Sequence, residues 1–131
     1  MAEAPPKVVP QRKVLIADDD PSILNLIGIV LEGEGRYRLF KARDGEETLQ
    51  MALREAPDLI LLDIGMPLRD GIEVCNILKG DALTARIKII MLTAFTEEST
   101  RKRAEAAGAD SYMTKPFSPM ALLQKVGEAL V

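Results

Sequence analysis

The chain contains no histidine, a single cysteine, no surplus of positive charge and no long apolar run. Each shortage removes a class of function. Without histidine the chain cannot form a phosphohistidine of its own. With Cys75 alone it has no internal disulfide, and the place of Cys75 in a helical apolar pattern makes it a buried filler rather than a reactive thiol. The formal net charge of -3 gives no general attraction to nucleic acid or to an anionic membrane, since phosphate groups are bound through a basic surplus. Met1 to Pro10 lacks the apolar stretch of a signal peptide, and no segment approaches the roughly 20 residues needed to span a bilayer. A cytoplasmic protein without nucleic-acid or membrane contacts is expected.

What is present suits one compact domain, for 131 residues with 47% hydrophobic content can build one core. Residues 1–12 hold three prolines and little periodic pattern, and read as a mobile tail before a domain of residues 13–131. From Lys13 onward, apolar runs of four or five residues alternate with segments of helical period, which predicts βα units around a parallel sheet. Val14 to Ala17, Leu59 to Leu62 and Ile89 to Leu92 are apolar enough for inner strands. Tyr37 to Lys41 and Ser111 to Thr114 are more polar and suit edges. A doubly wound (βα)5 flavodoxin-like fold satisfies these constraints, with a five-stranded parallel sheet of order 2-1-3-4-5 and its ligand crevice at the carboxyl ends beside strands one and three.

Helix starts fit this frame. Asp20 followed by Pro21 can cap a helix carrying Ile23, Leu24, Ile27 and Leu31 inward, and Asp44 with Glu47 resembles a capping box. Leu49, Ala52, Leu53 and Ala56 are expected to form the buried face of that second helix. The segment Thr96 to Ala107 offers only small apolar residues, Ala104, Ala106 and Ala107, so its helix is expected to be weakly anchored.

The functional signal lies at the strand ends. Asp18 and Asp19 follow the first run, Asp63 the third, Thr93 the fourth and Lys115 the fifth, and parallel strands bring these ends to one edge. Carboxylates about 4 Å apart repel by roughly 4 kcal/mol per pair at a partly screened site, so three of them call for a divalent ion or protonation. Magnesium accepts few carboxylates and shares its sphere with phosphate. Asp19 and Asp63 are then direct ligands of Mg²⁺, or of Mn²⁺ in its place, with Asp18 acting mostly through water. A carboxylate such as Asp63 can also attack a phosphoryl group when positive charge neutralises the phosphoryl oxygens. Lys115 supplies such charge, Thr93 a hydroxyl donor, and the small side chain of Ala94 leaves an adjacent N–H accessible.

Four blocks of this sequence together resemble the receiver domain of bacterial two-component response regulators, the CheY-like family: VLIADDDP (Val14 to Pro21), DLILLDIGMP (Asp58 to Pro67), IIMLTA (Ile89 to Ala94) and GADSYMTKPF (Gly108 to Phe117). The resemblance implies that Asp63 is the phosphoacceptor, Asp18 and Asp19 the acidic pair, Thr93 the switch hydroxyl and Lys115 the phosphate-pairing lysine. It also implies that the Gly65 carbonyl binds metal, that Tyr112 is the switch aromatic and that Lys115-Pro116 is a cis peptide. The partner it implies is a sensor histidine kinase or a histidine phosphotransfer protein, because the chain has no histidine to phosphorylate. A downstream effector protein or domain, and a monomer or a phosphorylation-dependent dimer, follow from the same family. Gly65, Phe95 and Lys88 depart from common family choices, and the first two are expected to bear on the lifetime of the acyl phosphate. Ala121 stands where DNA-binding members usually carry glutamate, which favours an output coupled in another way. Two rival readings are a haloacid-dehalogenase-like phosphatase using Asp18 of Asp18-x-Asp20, and a degenerate receiver acting only as an interaction module.

Overall fold

Five apolar runs become five parallel strands, each followed by a helix that covers one face of the sheet. A computed structural model describes residues 11–94 and 97–131. In chain order the elements are β1 (Arg12–Ala17), α1 (Pro21–Glu32), β2 (Tyr37–Ala42), α2 (Gly45–Glu55), β3 (Leu59–Asp63), α3 (Gly71–Gly80), β4 (Lys88–Thr93), α4 (Glu98–Ala106), β5 (Ser111–Thr114) and α5 (Pro119–Ala129). The sheet order is β2-β1-β3-β4-β5, as expected. β1 starts at Arg12, two residues before the expected run from Val14 and at the last residue of the expected tail, because Arg12 pairs with Tyr37. Residues 1–10 of the expected tail lie outside the described residues.

Side chains alternate across a strand, so each inner strand feeds two cores. Leu15, Ala17, Ile60, Leu62, Ile89 and Met91 face one way, against Ala52 of α2, Val74, Cys75 and Leu78 of α3 and Ala104 of α4. Val14, Ile16, Leu59, Leu61, Ile90 and Leu92 face the other, against Leu24, Ile27 and Leu31 of α1 and Leu122 and Val126 of α5. Cys75 is buried and its thiol hydrogen-bonds the Ala107 carbonyl at 3.4 Å. Burial pushes its pKa up to about 11, which leaves it protonated and inert at neutral pH.

The helix caps are local. Asp20 accepts from Ser22 N at 2.8 Å, Asp44 from Glu47 N at 2.8 Å and Asp70 from Glu73 N at 2.8 Å. Glu47 completes a displaced capping box, accepting from the Arg43 amide at 2.9 Å rather than from the cap residue itself. Lys88, in a place where proline is frequent, donates its amide to Asp58 O at 3.1 Å, a bond proline could not make.

Two expectations about helix faces change. In α2 the inward stripe is Gly45, Thr48 and Ala52, while Leu53 is 59% exposed and Ala56 is an exposed left-handed C-cap. Gly45 sets the rotation: a Cβ there would lie 2.9 Å from the Arg69 carbonyl carbon and closer still to its oxygen, so only glycine admits this contact. Leu53 is thereby turned outward. The helix expected over Thr96 to Ala107 runs from Glu98 to Ala106, with Ala107 as its C-cap, and Thr96 lies outside the described residues. Its N-cap, Glu97, makes no side-chain cap bond, and Ala104 is its one buried residue. The helix is held to the domain by little more than Ala104 and the Ala107 cap.

Candidate functional site

Each strand delivers its group for a simple reason: pairing ends at the residue in question and the side chain is left at the sheet edge. Ala17 pairs with Leu62, so Asp18 leaves β1 beside Asp63, the last residue of β3. Asp63 pairs with Leu92 and Thr93 with Thr114, which sets Thr93 and Lys115 alongside. Carboxylate oxygens of Asp18, Asp19 and Asp63 lie within 4.8 Å of one another.

Asp18 is the most enclosed of the three, 0% exposed. Its two oxygens are committed, Oδ1 accepting from Asp20 N at 2.9 Å and Oδ2 from Lys115 Nζ at 2.6 Å. Lys115 also reaches Asp63 Oδ1, at 3.3 Å. Asp19 is exposed and Asp63 buried. Burial raises the Asp63 pKa and the neighbouring Asp18 charge raises it further, against the lowering effect of Lys115 and of a hydrogen bond from the Gly65 amide. Burial alone would lower the Lys115 pKa. Its hydrogen bond to Asp18 and the charges of both aspartates outweigh this and raise it.

Thr93 is buried, and Lys115 N donates to Thr93 O at 2.7 Å. Tyr112 lies half-buried on β5, the strand paired with the one that ends at Thr93. Burial and then the Glu97 charge raise the Tyr112 pKa, so its hydroxyl remains protonated. The Lys115-Pro116 peptide is cis. Gly65 and Ala94 are exposed at the rim, and a Cβ at Gly65 would meet nothing within 4 Å. Phe95 lies outside the described residues.

A family model for the response regulator receiver domain matches residues 14–127. The chain belongs to the response regulator receiver domain family. Among curated relatives, the alkaline phosphatase synthesis transcriptional regulatory protein PhoP of Bacillus subtilis is 48% identical over 108 residues, covering 82% of this chain and 44% of that protein. The DNA-binding dual master transcriptional regulator RpaA of Synechocystis is 41% identical over 87% of this chain and 47% of its own length. This receiver domain thus spans about half the length of the curated relatives it matches. Among solved structures, the chemotaxis protein CheY4 of Vibrio cholerae has a TM-score of 0.86 at 32% identity, covering 92% of this chain and 99% of that one. A response regulator from Chloroflexus aurantiacus has a TM-score of 0.86 at 35% identity, covering 92% and 98%.

The donor set of the receiver domain suits a hard divalent cation, being all oxygen and multiply anionic. Three features around the site were not visible in the sequence. These are the tight Asp18–Lys115 pair, the approach of Gly71 to the Asp63 backbone, and Arg69, which bridges Glu46 and Glu73. The spacing of Arg69 and Glu73, four residues apart, signals that one pair, whereas nothing local signals Glu46.

Proposed function

We propose that this receiver domain is a phosphorylation-activated switch in which Asp63 accepts a phosphoryl group from the phosphohistidine of a sensor kinase or phosphotransfer protein. The observation that carries it is the convergence of Asp63 with two more carboxylates and Lys115 at the carboxyl edge of the sheet. A bond forms between an Asp63 oxygen and phosphorus while the bond from phosphorus to the donor imidazole breaks, and the imidazole nitrogen leaves with the electron pair. Asp19, Asp63 and the Gly65 carbonyl would hold Mg²⁺, with Asp18 acting through water, and the ion would supply positive charge for the phosphoryl oxygens. The commitment of both Asp18 oxygens to other donors supports its indirect role. Lys115 needs only to turn from Asp18 toward the new group. Thr93 and the Ala94 amide complete the donors.

The switch runs from Thr93 to Tyr112 on the neighbouring strand. Drawing the Thr93 hydroxyl toward a phosphoryl oxygen changes the surroundings of Tyr112, which packs against the core cluster that holds Ala104 of α4, the helix with the weakest anchor. If the inactive form leads by about 2 kcal/mol, charge-assisted bonds from Thr93 and Lys115 suffice to invert the balance. Beryllofluoride with Mg²⁺, standing for the phosphoryl group on Asp63, is therefore expected to change amide exchange in α4, β5 and α5 more than in α1. Equal changes everywhere, or none, contradict the switch.

The phosphatase reading finds no support, since Asp18 is enclosed and both of its oxygens are engaged, and Asp20 caps α1. The degenerate-receiver reading has against it the assembly of the whole residue set at one edge. Relatives whose names describe them as DNA-binding stand against the weight placed on Ala121, and no effector is assigned. Among the described residues no helix is long and apolar enough to cross a membrane.

A further inference from the structure

The loop of residues 64–70 between β3 and α3 carries Gly65, and what holds this loop in shape decides where the Gly65 carbonyl points. Its two ends are fixed by the sheet and by the start of α3. Ile64 N donates to Leu92 O at 3.1 Å and Gly71 N donates to Ile64 O at 2.8 Å. Ile64 and Met66 are buried. The far side is tied by the backbone at Pro67 alone: Pro67 is exposed, and Leu68 is 74% exposed in a left-handed conformation at φ 70. A branched side chain at positive φ costs about 1 kcal/mol or more, so the neighbouring residues must hold it there. Pro67 O accepts from Gly45 N at 3.3 Å and from Arg69 N at 2.8 Å.

Arg69 supplies a second, side-chain anchor. Its Nε donates to Glu46 Oε1 in α2, and its Nη1 donates to Glu73 Oε1 in α3 at 2.6 Å. One planar guanidinium thus ties the loop to the first turns of two helices, with a rigid fork that a flexible ammonium cannot reproduce. The backbone of Arg69 meanwhile rests on Gly45, where a Cβ would lie 2.5 Å from the Arg69 Cβ.

We propose that Arg69 is a positioning residue for the metal site, holding the β3–α3 loop so that the Gly65 carbonyl joins the Asp19 and Asp63 carboxylates. This rests on the metal reading given above. Charge and position act with opposite signs here, which makes the inference decidable. A guanidinium near a cation site disfavours the cation by Coulomb repulsion, so its removal, judged by charge alone, tightens Mg²⁺ binding. Loss of loop positioning weakens it.

The test is calorimetric titration of the metal-free protein with magnesium chloride at low ionic strength, for wild type, Arg69→Met and Arg69→Lys. Arg69→Met keeps most of the aliphatic stem and is expected to bind Mg²⁺ about tenfold more weakly, at the lower end of what loss of an outer-shell partner costs. Arg69→Lys is expected to fall between the two, since an ammonium lacks the fork that reaches both glutamates at once. The gap between wild type and Arg69→Met should narrow in high salt, which screens these half-exposed ion pairs. Metal-free melting temperatures should stay close to wild type, as exposed pairs contribute little to stability. Equal or tighter binding by Arg69→Met, with wild type binding normally, overturns the inference alone. Absence of Mg²⁺ binding in wild type overturns the metal reading and this inference with it.

Discussion

Lys115→Met is expected to destabilise the metal-free domain by roughly 3 kcal/mol and to regain most of that loss when Mg²⁺ is added. Asp18 is 0% exposed and its shortest contact is with the Lys115 ammonium, itself only 19% exposed. The pair is too enclosed for water to replace the lost charge. Removing the lysine strands one buried carboxylate beside a second, Asp63, whose pKa burial and the Asp18 charge already raise. In the metal-free domain Lys115 therefore does part of the cation's work. A divalent ion at the cluster replaces the missing charge, so the deficit in urea denaturation should shrink with magnesium chloride and not with an equal ionic strength of sodium chloride. A Lys115→Met protein as stable as wild type without metal would mean that the ammonium does not compensate the carboxylates.

Gly71→Ala should cost about 3 kcal/mol in stability, the upper range for forcing an extra methyl into close packing. A Cβ at Gly71 would stand 2.8 Å from Ile64 Cα and 2.9 Å from the Asp63 carbonyl carbon, and nearer still to the Asp63 oxygen. All three are backbone atoms. β3 cannot yield easily, being paired on both sides, with β1 and β4. The strain must therefore move α3 or displace Asp63, and a displacement of about 1 Å at a reacting group can slow phosphorylation on the order of 100-fold. Gly65→Ala is the matched control. A Cβ there meets nothing within 4 Å, so its stability should stay within about 0.5 kcal/mol of wild type. Chemical denaturation of the two variants decides the matter: equal stabilities would show that the approach at Gly71 does not constrain the site.

The sheet and the site were legible for the same reason. β1, β3 and β4 are short uninterrupted apolar runs because both of their faces are covered, and each run stops at the residue that the structure brings to the cleft, Asp18, Asp63 or Thr93. The polarity of the runs placed β2 and β5 at the edges, a placement that the order 2-1-3-4-5 satisfies. The face of α2 was legible only in part: Ala52 is buried and Leu49 packs against the core as expected, but Leu53 satisfies helical period as well as Gly45 and Thr48 do. The choice between them is made by a close backbone approach, of Gly45 to Arg69, that hydropathy cannot register. Gly71 was hidden for the same reason. The Arg69–Glu46 link spans 23 residues and joins the β3–α3 loop to α2, so no local spacing announces it.

The most direct test of the phosphoacceptor assignment is the intact mass of the protein after incubation with acetyl phosphate. Wild type with Mg²⁺ is expected to gain one phosphoryl group, and wild type with the metal chelated none. Asp63→Asn with Mg²⁺ should gain none, since Asp18 is fully engaged and Asp19 is proposed as a metal ligand. Modification of Asp63→Asn at the wild-type yield would place the acceptor elsewhere and contradict the account.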